Sequence, residues 1–144
     1  MPASAERRAV ASSMISDRQR CEQRDFAADW LTLVALWGLP TVAMLLALLL
    51  DPIWRAVVWI AMLAWMGAAC VTNARRCGRT HCRYTGPCFL GMGGLVTAHI
   101  AGLVPIGSQP WLVLAILIAV GNALIWWGSE RVYGTYSRPG VPTK

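Results

Sequence analysis

The chain has 144 residues, 56% of them hydrophobic and 14% charged, with a mean hydropathy of +0.49. Soluble domains carry about 25% charged residues, so a soluble fold is excluded and a membrane protein is expected. The net charge of +6 raises the question of nucleic acid, but the placement of the charges is that of a membrane topology, and no nucleic-acid partner is needed.

In chain order, residues 1–29 are polar, with five arginines and five acids, and are expected to be a cytoplasmic extension. Its stretch "SDRQRCEQRDFAADW" suits an interfacial helix or a disordered tail equally. A helix needs roughly 20 apolar residues, within about 17–25, to cross the hydrocarbon core. Residues 30–50 meet that length without a charge, and begin too late and run too long for a cleavable signal peptide. Pro40, after Gly38, predicts a kink there. Asp51-Pro52 makes a tight turn into a second span at 52–72, whose one charge is Arg55, near its end. Residues 73–88 form an Arg/Cys loop. The third span, 89–104, has only sixteen residues and needs shelter from its neighbours. Gly94, Ala98 and Gly102 lie four apart in it, a stripe that admits another backbone closely and marks this helix as the most buried. The turn "PIGSQP" leads to the uncharged span 111–128, and 129–144 is a second cytoplasmic tail. The expected fold is an all-α integral membrane four-helix bundle of two hairpins, helices 1–2 and 3–4. There is no internal sequence repeat.

With both termini inside, twelve of the thirteen Lys and Arg residues face the cytoplasm and only Arg55 lies outside. The positive-inside rule thus predicts an N-in/C-in protein of the inner membrane. Trp30, Trp126 and Trp127 fall at the cytoplasmic edge and Trp54 and Trp111 at the outer one, as an aromatic belt places them. Within the spans, His99 and Asn122 are the polar side chains to explain. Each suits an interhelical hydrogen bond; His99 also suits a way-station for a cation or proton. Met44, Met62, Met66 and Met92 are read as packing rather than as thioether ligands.

The stretch "NARRCGRTHCRYTGPCFL" (73–90) concentrates the chemistry. Cys21, Cys77, Cys82 and Cys88 face the cytoplasm and Cys70 ends helix 2, a reducing setting where disulfides are not expected and clustered thiols point to metal or redox chemistry. Cys77 and Cys82 form C-x4-C, at the edge of structural-zinc spacing. A closed Zn(II) site needs His81 or Cys88 to join, whereas two thiolates alone suit a soft ion such as Hg(II) or Cu(I). Arg76, Arg79 and Arg83 favour the thiolate form of Cys77 and Cys82. "TGPC" reads as a helix start with Pro87 in the first turn, which puts Cys88 at the positive end of the helix dipole. Cys70 lies seven residues before Cys77, about 10 Å along a helix, and shares an ion with it only if the helix breaks near Asn73 or Gly78. The plainer alternative assigns the arginines to orientation and lipid headgroups and the cysteines to filling space.

These residues, with the Gly-rich helix and the ending "WWGSERVYGTY", resemble a family of small four-helix membrane proteins of bacteria and archaea. Some of its members are mercury-resistance (mer operon) transporters of the MerH type. The resemblance covers roughly residues 65–136. Cys77, His81 and Cys82 match the family's core, Thr85, Gly86 and Pro87 its turn, and Glu130 an acidic residue after the last helix that pairs with a loop arginine; Cys88 lies outside the pattern. Helix 1 lacks the vicinal cysteine pair of other small mercury importers, which leaves His99 as the outer-side acceptor. The resemblance implies a transporter, not an enzyme, with no resident cofactor. Hg(II) would be captured by Cys77 and Cys82 and passed to a cytosolic mercuric reductase or another thiol acceptor. The rivals are an accessory membrane protein whose loop binds zinc or a partner, and a membrane thiol oxidoreductase, which would want a C-x-x-C pair. Beyond the lipid bilayer, a second copy of the chain is a possible partner, since four short helices need to associate to enclose a path.

Overall fold

The computed structural model describes Phe26 and residues 29–133, apart from the side chain of Cys77. The expectations for the remainder of both tails, for Cys21 and for the Cys77 thiol lie outside the described residues. Those residues are helical, with four segments: α1 (Trp30–Leu49), α2 (Pro52–Cys77), α3 (Thr80–Ile100) and α4 (Pro110–Tyr133). No strand occurs among them. Three segments, α1, α2 and α4, are long and apolar enough to cross a membrane. α3 is not among these, because its first turns, "THCRYT", are polar.

α1 begins where Asp29 caps it: the Asp29 carboxylate accepts from the Thr32 amide at 3.0 Å and from the Thr32 hydroxyl at 2.6 Å. The break expected at Pro40 takes the form of a π-helical turn, Val34–Gly38, in which the Leu39 amide reaches back to the Val34 carbonyl. Proline lacks an amide and crowds the preceding turn, and widening that turn is one way a helix accommodates it. At the far end, Arg55 explains itself. Its guanidinium donates to the Leu48 and Leu50 carbonyls, both at 2.8 Å, and to Ala47 at 3.4 Å, closing the C-terminus of α1. It also lies 5.2 Å from the Trp111 ring of α4. Buried Trp59 donates to the Met44 carbonyl at 3.0 Å and meets Trp111 edge-on at 5.3 Å.

The segments pack in chain order, α1 on α2, α2 on α3 and α3 on α4, with the largest interface between α2 and α3. This corrects the loop expected at 73–88. α2 continues to Cys77, Gly78 adopts the left-handed conformation (φ 63°) with its amide on the Ala74 carbonyl, and α3 starts two residues later. Gly after a last turn rich in arginine is a helix stop, so "RRCG" ends one helix rather than opening a loop. Pro87 accordingly lies inside α3, and Cys88 is two turns from its N-terminus instead of at it.

The tight corner sets an antiparallel register in which Gly67 and Gly86 face each other. A Cβ on Gly86 would come within 2.7 Å of Val71 Cγ2 and 3.3 Å of the Gly67 carbonyl. The close approach expected of Gly94, Ala98 and Gly102 is made here instead. Gly94 has nothing within 4 Å of its Cβ direction. Gly102 lies past the helix, at φ 75°, where the Leu103 amide reaches the Ala98 carbonyl at 2.9 Å and the Gly102 amide reaches His99 at 3.0 Å. That arrangement is a Schellman stop, and it ends α3 at Ile100 rather than at 104.

Candidate functional site

The short corner brings side chains distant in sequence to one level of the α2/α3 interface. Cys70 and Cys82 are both buried free thiols, 2% and 0% exposed, that belong to one core cluster with their sulfurs beside each other. Each sulfur has a polar neighbour from the opposite helix. The Asn73 amide group donates to Cys82 Sγ at 3.6 Å, and the Thr85 hydroxyl lies 3.6 Å from Cys70 Sγ and 3.0 Å from the His81 carbonyl. Trp37 of α1 packs against the buried cluster that includes Cys70. Asn73 is fully buried, and its side-chain oxygen accepts from the Phe26 amide at 3.2 Å, so Phe26 is tied to the same residue that faces Cys82. Arg76 lies 5.2 Å from the Phe26 ring at this point.

Sulfur is soft and polarisable, and a pair of thiols in contact, screened from water, suits an ion that prefers sulfur and low coordination. Among the described residues no group of three or more His, Cys, Asp and Glu side chains is placed to hold a metal. What the corner offers is a two-sulfur site. No family model, curated protein or solved structure matches the chain. The site therefore stands on its own chemistry.

The other expected residues disperse. His81, in the first turn of α3, faces α4, where its Nδ1 lies 2.7 Å from Glu130 Oε1 and its ring 6.0 Å from that of Trp126. Glu130 thus pairs with histidine rather than arginine, and it belongs to α4 rather than following it. Stacking of Tyr84 on Tyr133, 6.2 Å apart, holds the same ends together. Cys88 is half-buried and joins neither pair. His99 is at the opposite end of α3, with Nδ1 2.9 Å from the Val104 carbonyl and its ring against Trp111 at 6.4 Å. Asn122 donates to the Ile118 carbonyl of its own helix at 2.8 Å rather than to a neighbour. Arg75, Arg76 and Arg83 are exposed and Arg79 is half-buried, while Cys82 is buried.

Sequence reasoning paired Cys82 with Cys77, four residues lying between them in a C-x4-C spacing, and counted Cys70 among the candidates only as a partner of Cys77, not of Cys82, twelve positions on. The signal was present. With Gly78 read as the residue that ends α2, two antiparallel helices share a two-residue turn, and residues within about two turns of it on either side come opposite one another, as Cys70 does with Thr85 and Asn73 with Cys82.

Proposed function

We propose that the chain is an integral membrane four-helix protein, both termini cytoplasmic, that captures a soft metal ion, Hg(II) foremost, on the sulfurs of Cys70 and Cys82. The observation that carries this reading is the contact between those two buried thiols. Capture exchanges two S–H protons for two S–metal bonds, so binding one ion releases two protons and weakens as pH falls. The Asn73 and Thr85 donors supply hydrogen bonds to sulfur of the kind that orient and tune metal ligands. The fourth crossing is α3: it runs antiparallel along α2 and presents Gly93 to Leu63, so it shares the depth of a helix able to span. The distribution of arginine supports the orientation, and puts the thiol pair at the cytoplasmic end.

The reading keeps the resemblance to MerH-type transporters and moves the capturing pair within it, from Cys77/Cys82 to Cys70/Cys82. Cys77, one residue before the corner, is then positioned in sequence to take the ion onward by thiol exchange to a cytosolic acceptor. His99, near the opposite face, remains the candidate for first contact from outside. A four-ligand zinc site would need ligands from beyond the described residues, which leaves the accessory reading less support. The same thiol contact favours one alternative, a membrane thiol oxidoreductase in which Cys70 and Cys82 close a disulfide as two electrons pass to an acceptor.

Cells expressing the chain alone provide the test. Hypersensitivity to Hg(II) and cellular uptake are expected, and both fall to the level of empty cells in Cys70→Ser and in Cys82→Ser. Uptake unchanged in both variants would defeat the proposal. A stable dithiol–disulfide couple in the purified protein, with no uptake of metal, would favour the oxidoreductase.

A further inference from the structure

On another face of the same corner lies a cavity of about 330 Å³, lined by Val71, Ala74 and Arg75 of α2, by Gly78, and by Arg79, Arg83 and Pro87. The α3 side is built by residues four apart, 83 and 87, continuing the line of 79. The α2 side is built by 71, 74, 75 and 78, which share one helix face. The thiols occupy a different face of each helix, so this groove is separate from the pair of sulfurs. Its volume is at the lower end of small-ligand sites, about 300–1,000 Å³.

Two features of the groove are complementary to one kind of ligand. Three arginines are among the residues that line it, and the planar fork of arginine matches the oxygens of phosphate. Val71, Ala74 and Pro87 give it an apolar wall, at the end of a helix long enough to span a bilayer. An inorganic anion would use the arginines alone; an amphiphile uses both. We infer that this groove binds a phosphate group, and that the phosphate is that of an anionic phospholipid whose first methylenes lie along Val71, Ala74 and Pro87. The site needs nothing from Cys70 or Cys82, so it stands whether or not they hold metal. Bound lipid would bridge the last turns of α2 and the first turns of α3 and brace the corner on which the thiol contact depends.

The test uses the full chain, purified in neutral detergent. It is titrated with phosphatidylglycerol, with phosphatidylcholine and with inorganic phosphate, while bound lipid is read by native mass spectrometry and thermal stability is followed. Phosphatidylglycerol is expected to bind and to raise the melting temperature, and phosphatidylcholine to do neither. Arg75 and Arg83 are exposed, so the double variant Arg75→Gln/Arg83→Gln should keep its helix content by circular dichroism. It should lose phosphatidylglycerol affinity by roughly tenfold or more, from about 1 kcal/mol per basic residue. Arg75→Lys/Arg83→Lys, which keeps the charge and loses the fork, should fall between. Phosphatidylglycerol that excess inorganic phosphate fails to displace identifies the lipid as the source. Stabilisation by inorganic phosphate itself, lost in the glutamine variant, keeps the phosphate site and reassigns it to a free anion. Equal binding of the two lipids, or full phosphatidylglycerol affinity in the glutamine variant, would overturn the inference.

Discussion

The two ends of the α2/α3 pair use polar groups for different purposes. At the far end, polar side chains serve the backbone: Arg55 closes α1 on three carbonyls, Trp59 bonds the Met44 carbonyl, and His99 bonds that of Val104. Such contacts satisfy helix ends where water is scarce, and they explain why a lone arginine and a lone histidine are tolerated there. At the corner, side chains meet side chains: Asn73 with Cys82, Thr85 with Cys70, His81 with Glu130. No helix terminus requires Asn73 or Thr85 to face sulfur. The far end is architecture, and the corner is where reactive groups are assembled.

The largest effect expected from this contrast concerns metal stoichiometry. Purified protein titrated with Hg(II) under reducing-agent-free conditions should take up one tightly held ion per chain and release two protons. Cys70→Ser should abolish that uptake as completely as Cys82→Ser, whereas Cys88→Ser should leave it intact. Retention of tight binding in Cys70→Ser, with loss in Cys77→Ser, would restore the nearest-neighbour pair and break the contrast as drawn.

Next in size is the glycine contact that sets the corner's register. Gly86→Ala places a methyl group within 2.7 Å of Val71 and 3.3 Å of a backbone oxygen. It should destabilise the α2/α3 pair by ~1–3 kcal/mol through overpacking and part the two thiols. Gly94→Ala meets nothing within 4 Å and should be neutral or stabilise by up to ~1 kcal/mol through helix propensity. Thermal unfolding of both variants in detergent, with thiol cross-linking between Cys70 and Cys82 as a distance readout, measures the difference. Equal losses would return the Gly94 stripe to the role first expected of it.

These two glycines also show what could be read from the sequence. Periodicity found four apolar stretches, and the structure starts α1 at Trp30 and α2 at Pro52 as expected, because Asp29 and the Asp51-Pro52 turn are local signals. The small-residue stripe in α3 was equally visible, yet a Cβ at Gly94 or Gly102 would meet nothing within 4 Å among the described residues. Helix–helix contact depends on register, register depends here on a two-residue corner, and that corner was hidden by the polarity around it. Arginines that end a helix and arginines that fill a loop have the same composition; only Gly78 distinguishes them. The thiol pair was therefore half legible: Cys82 was identified, and its partner needed the corner. Arg55 was noticed as an orientation exception, while its capping role required the α1 carbonyls to be placed in space.

Arg55 supplies the third prediction, and it separates stability from chemistry. Arg55→Met removes the donors from the carbonyls of Ala47, Leu48 and Leu50 at the end of α1. Hydrogen bonds to a charged donor contribute about 1.5–3 kcal/mol, so a clear fall in melting temperature is expected. Hg(II) stoichiometry should stay unchanged, since the thiols are at the other end of α2. A loss of metal binding greater than the loss of folded protein would mean that the two ends are coupled.

The smallest effect lies at the start of α1. The Asp29 carboxyl is held below its ordinary value of 3.8, by the Thr32 hydroxyl first and the Thr32 amide second. A depressed carboxyl pKa adds stability that is complete above the unfolded value and fades as pH drops through the folded one. Protection of the Thr32 amide from hydrogen exchange should therefore fall in acid below 3.8 in the native chain. In Asp29→Asn the cap does not titrate and still accepts a hydrogen bond, so protection should persist into acid; in Asp29→Ala it should be low at every pH. The comparison between Asn and Asp removes the intrinsic pH dependence of exchange, which both share. Trp37 lies two turns further along α1, so thiol contact and metal uptake should survive in all three proteins. Loss of uptake in Asp29→Ala alone would show that the first turn of α1 holds Trp37 against the cluster that includes Cys70, and would extend the chemical end of the molecule into the helix that otherwise only flanks it.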